Sequence, residues 1–218
     1  MSHSSAAPSA RTRVRRSAEL ANYDSAVLYN IIDAAYLCHI AFHDDDGAHC
    51  LPTACWRDGD YLYIHGSNGS RLLKRLTAAD ACVAITHLDG LVLARSAFNH
   101  TMNYRSAMIY GRFEMVPGDG AKRAALEALM DKLAPGRQAD VRAGNDKEFA
   151  ATSVMRIALD EAAAKIRAGA PQDDAADMAH PVWAGVLPLV QQRMAPLPDP
   201  LQDAGVPMPG YVRAWNQA

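Results

Sequence analysis

The sequence has no dominant charge and no long apolar run. Its 218 residues include 22 Lys and Arg against 24 Asp and Glu, a formal net charge of −2. No global field therefore steers it towards nucleic acid. The longest apolar stretches, 27–37 and 81–85, are too short or too interrupted to cross a bilayer. We expect a protein that binds neither nucleic acid nor membrane.

Cysteine is scarce, and the residues that could hold a metal ion are scattered. There are four cysteines, Cys38, Cys50, Cys55 and Cys82, without a CxxC pair. Histidines 39, 43 and 49 flank a turn and do not share a helix face. The pattern predicts no metal site. It indicates buried thiols in a reducing compartment.

The start of the sequence lacks the apolar core of a secretion signal. Residues 1–17 carry four arginines and no acidic residue. We expect a cytoplasmic location, with a transit peptide as the alternative interpretation of this basic start. The composition predicts a flexible basic arm at 1–22, one domain at 23–195 and a Pro-rich tail at 196–218.

Several catalytic signatures are absent from the sequence. There is no GxSxG elbow, no Walker A loop and no GxGxxG after a strand. The sequence therefore gives no support to a serine hydrolase, a P-loop nucleotidase or a Rossmann dehydrogenase.

Short strand patterns separated by Asp- and Gly-rich turns dominate the domain. Asp24 is a candidate N-cap for a helix with apolar residues at Leu28, Ile31 and Ile32. Strands are predicted at 37–42, 50–56 and 61–65 as a meander, at 82–88 and 91–96 as a hairpin, and at 106–116. Helices are predicted at 70–77, beyond 120 and at 146–151, with a returning strand at 154–159. The pattern favours a mainly β protein with flanking helices, a six-stranded antiparallel barrel.

The segment 61–76, YLYIHGSNGSRLLKRL, is the most informative part of the chain. A strand runs into a Gly-containing loop, which delivers Ser70 and Arg71 to the first turn of a helix. Free backbone N–H groups, a hydroxyl and a guanidinium suit a phosphate group there, and Lys74 adds a further charge. The alternative is a capped helix without a ligand.

Three stretches resemble one known family. They are YLYIHGSNGSRLL, LDGLVLARSAFNHTMNYRSAMIYGR and HPVWAGVLPL. Their order is similar to that in the FMN-binding split-barrel proteins typified by pyridoxamine 5′-phosphate oxidase, in the branch of the nitroimidazole-resistance reductases. The likeness covers about 11–189. It implies a split β-barrel that works as a homodimer with FMN at the subunit interface.

The resemblance also implies a set of flavin-binding residues. The family's Ser-Arg pair, which holds the flavin phosphate, matches Ser70 and Arg71. The other positions carried over from the family are Pro52, Thr53, Ala54, His65, Gly66, Ser67, Asn103, Tyr104, Arg105 and Ser106. His65 is expected to serve the flavin, not a metal. Trp183 matches an aromatic residue beside the flavin, and a core tryptophan is the alternative.

Two classes of function remain open on this resemblance. The first is an FMN-dependent oxidoreductase that uses NAD(P)H or a reduced partner as donor and a small organic molecule as acceptor. The second is a non-catalytic binder of flavin or haem, and a deazaflavin cofactor is a variant of the first. Pyridoxamine phosphate is not the expected substrate, because a Pro-rich tail follows Arg193 to Pro196, where the oxidases end.

Overall fold

Antiparallel strands carry the fold of the computed structural model, which describes residues 6–203 and 205–216. The strands are β1 (Ala21–Asn22), β2 (Leu37–Asp44), β3 (Gly47–Ala54), β4 (Trp56–Asp58), β5 (Tyr61–Ser67), β6 (Ala81–Leu93), β7 (Thr101–Gly111), β8 (Glu114–Met115), β9 (Thr152–Ala158), β10 (Ala162–Arg167) and β11 (Gly185–Pro188). The helices are α1 (Ser25–Asp33), α2 (Arg71–Leu76), α3 (Gly118–Leu133), α4 (Asp146–Ala151) and α5 (Gly210–Arg213).

The strands form two sheets. The larger runs β1-β10-β7-β6-β2-β3, with β11 also paired to β6, and the smaller runs β4-β5-β9-β8. The mainly β, antiparallel class with flanking helices is confirmed. The sheets hold more strands than the six predicted, since several of them are only two to four residues long. Residues 1–5 of the predicted arm and residues 204, 217 and 218 of the predicted tail lie outside the described part.

The main core lies between the sheets and is closed by α1 and α2. Alternate residues of the larger sheet point inward, such as Ile40 of β2, Ile85 of β6 and Ile109 of β7, all at most 2% exposed. Helix α1 begins as predicted, because the Asp24 carboxylate accepts a 2.7 Å hydrogen bond from the Ala26 amide. Within the described ranges, no helix has the length and apolar character that a membrane span requires.

The predicted three-stranded meander is wrong. Strand β3 pairs with β2 in the larger sheet, whereas β5 pairs with β4 and β9 in the smaller one. The chain crosses between the sheets at Cys55, whose amide donates to the Tyr36 carbonyl at 3.1 Å. Cys55 and Trp56 are both buried because each faces a different core. Two consecutive buried residues mark this crossing.

The predicted hairpin at Asp89-Gly90 is also wrong, because β6 is one strand with a bulge between Leu88 and Gly90. Asp89 receives two 2.8 Å hydrogen bonds from Arg105. A Cβ on Gly90 would lie 3.0 Å from the Leu187 carbonyl oxygen, so glycine lets β11 dock. The predicted strand 106–116 is likewise divided, with its first part in β7 and its last residues in β8. Helix 146–151 is confirmed.

A second, smaller core lies between α3 and the outer side of the smaller sheet, around Trp56 and Val154. The His65 ring borders it, with its centroid 5.8 Å from that of Trp56. Trp56 Nε1 and His65 Nδ1 are buried without a hydrogen-bond partner among the described residues. Burial lowers the pKa of His65, so the neutral imidazole is favoured.

This burial predicts a pH dependence of stability. Because the folded-state pKa of His65 lies below the ordinary value of 6.5, the unfolded chain takes up the proton first as the pH falls. The free energy of unfolding should therefore decrease as the pH drops from about 6.5 towards the lowered value. His65→Phe should reduce this slope in denaturant titrations at several pH values. His180→Phe, the same change at an exposed position, should keep it, and an equal slope in both variants would contradict the prediction.

Candidate functional site

The outward side of the larger sheet bears many of the predicted site residues, and we call it the open face. Directly opposed residues of antiparallel strands point to the same side. Its members from β3 across to β10 are Pro52, Ala54, His39, Ala84, Thr86, Tyr104, Ser106, Lys165 and Arg167. His39 lies between Pro52 and Ala84, so its neighbours are small and leave the surface flat.

Strand β3 forms the border of the open face. It is the last strand of the sheet, so one of its edges has no strand partner in the described part. Pro52, which lacks an N–H group, is tolerated on such an edge. Pro52 and Ala54 point outward, whereas Thr53 opposes the buried Cys38 and points to the core side. The backbone of 52–54 is thus accessible along one edge of the sheet.

The loop between β5 and α2 has the predicted local form. The Ser70 hydroxyl accepts a hydrogen bond from the Leu73 amide at 3.4 Å and caps α2. The Ser67 hydroxyl accepts one from the Gly69 amide at 3.2 Å. A Cβ on Gly66 would lie 3.1 Å from Leu73, so glycine lets the strand approach the helix. Ser70 and Arg71 therefore stand at the start of the helix.

Arg71 is held by acidic residues of the β2–β3 turn. Its Nη2 donates to Asp44 at 3.0 Å and also to Asp46. The Asp44 side chain is 2% exposed and also bonds His49 at 2.8 Å. These bonds, from His49 first and then Arg71, hold the pKa of Asp44 well below its usual range. Lys74 is exposed on the same helix.

The loop and the open face are far apart. Asp44, beside Arg71, and His39, beside Pro52, are both on β2, and their five-residue separation is about 17 Å along an extended strand. A ligand that contacts both must therefore be elongated. A phosphate at one end and a planar ring at the other would match this spacing.

Strand alternation separates the four consecutive candidates on β7. Tyr104 and Ser106 lie on the open face, whereas Asn103 and Arg105 point to the opposite side. Asn103 is 7% exposed and donates to the Gly169 carbonyl at 3.1 Å. Arg105 is paired with Asp89. The expectation that all of them line one pocket therefore does not hold within one chain.

Trp183 is not a core residue. It is 64% exposed and precedes β11. Its ring lies over Gly185, where a Cβ would come within 2.8 Å of the ring. The core interpretation is excluded, and the ring is accessible to a ligand or a second chain.

His39 is a candidate that the sequence interpretation missed. It is exposed in the middle of the open face, and no hydrogen bond of the described residues involves its ring. The sequence signal for its exposure was the alternation in β2, where the core residues Cys38 and Ile40 alternate with His39, Ala41 and His43. In the described ranges, no three His, Cys, Asp or Glu side chains are grouped to hold a metal ion by themselves.

Two solved structures resemble this chain over nearly its whole length. The flavocytochrome Anf3 from Azotobacter vinelandii is 41% identical, with a TM-score of 0.92, covering 96% of this chain and 98% of its own. The FAD- and haem-binding protein from Mycobacterium smegmatis is 40% identical, with a TM-score of 0.86, covering 90% and 97%.

A more distant structure shares the fold. A candidate 5-nitroimidazole antibiotic resistance protein from Bacteroides thetaiotaomicron is 22% identical, with a TM-score of 0.56, over 67% of this chain and 86% of its own. None of the curated proteins matches the chain. The family model described as pyridoxamine 5′-phosphate oxidase matches residues 24–166, well over half of the sequence. The chain therefore belongs to the pyridoxamine 5′-phosphate oxidase-like family of split-barrel proteins.

Proposed function

We propose that the protein is a flavin-dependent oxidoreductase that holds FMN, or FAD through its FMN half, between Arg71 and the open face. One observation carries this proposal. The two solved structures that match nearly the whole chain at about 40% identity are a flavocytochrome and an FAD- and haem-binding protein. Flavin, when bound, supplies the redox chemistry, with NAD(P)H or a reduced partner as donor and a small organic molecule as acceptor.

The residues of the β5–α2 loop fit a flavin phosphate. Arg71 uses only Nη2 for Asp44 and Asp46, so its Nε and Nη1 donors have no hydrogen-bond partner among the described residues. Asp46 is 67% exposed and can turn to solvent when an anion arrives. Asp44 is buried and stays in place, so it orients the guanidinium. Arg71 would therefore bind the phosphate, and Asp44 would position Arg71.

The open face fits the flavin ring. Pro52, Ala54 and Ala84 present a flat, apolar surface, and Ser106 offers a hydroxyl, which lies 3.3 Å from the Lys165 carbonyl. A planar ring placed there would be covered on one side only. A second copy of the chain would cover the other side and exclude water.

The apolar side chains of the open face support the proposed homodimer. Leu187, Leu91 and Met102 oppose one another across β11, β6 and β7, and they are 44%, 39% and 51% exposed. Leu88 lies beside them and is 46% exposed. A continuous row of this kind marks an interface in a soluble protein. We infer that two open faces meet, with the flavin sites at their border.

Haem is a second candidate cofactor, because both full-length relatives have names that denote haem proteins. Haem iron needs only one or two axial ligands from the protein, so the lack of a larger metal cluster is compatible with it. His39 fits best, since its imidazole is exposed on the open face and has no hydrogen-bond partner among the described residues. Haem bound there would replace the flavin ring, because Pro52 and Ala84 lie on either side of His39. His65 has an unpartnered Nδ1 but faces the smaller core.

Arg71 provides the first test of the flavin proposal. Arg71→Gln should weaken FMN binding about 10- to 100-fold, because a charge-assisted hydrogen bond to the phosphate is lost. Arg112→Gln is a matched control, since the two arginine side chains are 60% and 58% exposed. Riboflavin, which has no phosphate, should bind all three proteins alike in fluorescence titrations. If Arg71→Gln binds FMN like the wild type, the phosphate site is elsewhere.

His39 provides the test for haem. After titration with haemin, the wild type and His180→Ala should show the Soret absorption and one iron per bound haem. His39→Ala should lose both, and it should still bind FMN when no haemin is added. Equal haem binding by all three proteins would exclude His39 as the ligand. Absence of haem from the wild type would exclude the second candidate.

Met102 provides the test for the dimer. Met102→Lys should give a monomer in sedimentation, because it buries a charge in the apolar row. Met115→Lys makes the same change at a methionine of the smaller sheet that is 48% exposed, and this variant should remain dimeric. A dimer of unchanged affinity in Met102→Lys would place the interface elsewhere.

A further inference from the structure

A polar cavity lies at the β10 end of the open face, away from Arg71. Its volume is about 380 Å³, and its lining includes Arg16, Tyr104, Lys165 and Arg167. The floor is the pair β7–β10, where Arg167 opposes Tyr104. The wall is the segment 16–20, which leads into β1. The cavity therefore exists only because the N-terminal segment lies against the sheet.

Three cations surround this cavity without a carboxylate partner. Arg16, Lys165 and Arg167 take part in none of the ion pairs formed by the described residues. Glu19 is the one acidic residue of the lining, so the lining carries an excess of two positive charges. Unpaired charges held close together repel each other, and an anion in the cavity would relieve that repulsion.

Hydrogen bonds hold two of the cations in place. Arg167 donates to Asn103, whose side chain is buried, and to the Ala170 carbonyl at 3.4 Å. Lys165 donates to the Arg16 carbonyl at 2.9 Å. Each retains further N–H donors, since a guanidinium has five and an ammonium three. The positive groups are thus positioned in advance for a ligand.

The cavity wall also contains strained backbone. Ser17 has φ 53° and ψ 57°, and it is the one residue other than glycine with positive φ in the described part of the chain. This left-handed conformation is unfavourable for a residue with a Cβ, and such strain concentrates at binding sites. Ser17 lines the cavity beside Arg16.

We propose that this cavity binds the phosphoryl groups of a nucleotide that carries a diphosphate. The excess of two positive charges matches a diphosphate better than a single carboxylate. The volume is in the range of sites for organic ligands, and the Tyr104 ring offers a surface on which a base can stack. The inference goes beyond the proposed function, because it requires only the cavity. The nucleotide is a molecule separate from the flavin, such as a dinucleotide donor, because the adenylate half of FAD is joined to the flavin phosphate, which the proposed function places at Arg71 and away from this cavity.

Calorimetric titration of the purified, flavin-loaded protein with ADP tests this proposal. ADP should bind at least about tenfold more tightly than adenosine or inorganic phosphate. The double variant Lys165→Gln/Arg167→Gln should weaken ADP binding about 10- to 100-fold. Arg13→Gln/Arg15→Gln removes the same charge from exposed neighbours outside the cavity and should bind like the wild type. Because Lys165 also holds the Arg16 backbone, Arg16→Gln gives a second variant that leaves that contact intact, and it should weaken ADP binding too.

A second measurement separates this nucleotide from the flavin. On flavin-free protein, the double variant should keep the wild-type preference between FAD and FMN, because the cavity does not hold the flavin. A smaller preference for FAD in the double variant would assign the cavity to the adenylate half of the flavin and would overturn the proposal of a separate nucleotide.

Three further results would overturn the proposal: adenosine binding as tightly as ADP, inorganic phosphate binding as tightly as ADP, or a double variant that binds ADP like the wild type. If the protein binds flavin but not ADP, the nucleotide proposal is wrong and the proposed function is unaffected. ADP binding by a protein that binds no flavin rejects only the proposed function.

Discussion

Strand β6 is the constraint on which the rest of the molecule depends. It is the longest strand, and β7, β2 and β11 all pair with it. Its inward residues form the centre of the main core, and its outward residues form the middle of the open face. Since side chains alternate along a strand, one register decides both what is buried and what remains available to a ligand.

Local signals predicted those parts of the fold that local interactions determine. Asp24 caps α1 and Ser70 caps α2 because each bonds an amide two or three residues away. Helix 146–151 follows from a capping box at Asn145. The chain crossing at Cys55 and the bulge at Asp89 depend on strands distant in sequence. An Asp-Gly pair is normally a turn signal, but pairing with β7 and β11 overrides that preference here.

In the candidate site, too, the sequence predicted only those features that local interactions determine. Ser70 and Arg71 were placed correctly at a helix start. The carboxylates that bind Arg71 were not foreseen, since Asp44 and Asp46 are far from it in sequence and meet it only after β2 and α2 pack together. Asn103 and Tyr104 are adjacent in sequence, yet they lie on opposite sides of β7. The exposure of His39 on the open face follows only from the alternation of buried and exposed residues along β2.

The bulge at Asp89 has a consequence for how the chain tolerates change. One extra residue in β6 shifts the alternation, so Leu88 and Leu91 share the open face while Val92 is fully buried. If β6 kept all its residues but had no bulge here, strict alternation would turn Leu91 inward and Val92 outward, and the β11 strand would meet the wrong partners. Asp89, which has no partner on β7, therefore corrects the alternation between the two halves of β6. Deletion of Asp89 itself would leave Leu88, Leu91 and Val92 on their present sides, whereas deletion of a paired residue next to it would exchange the inside and the outside of half a strand.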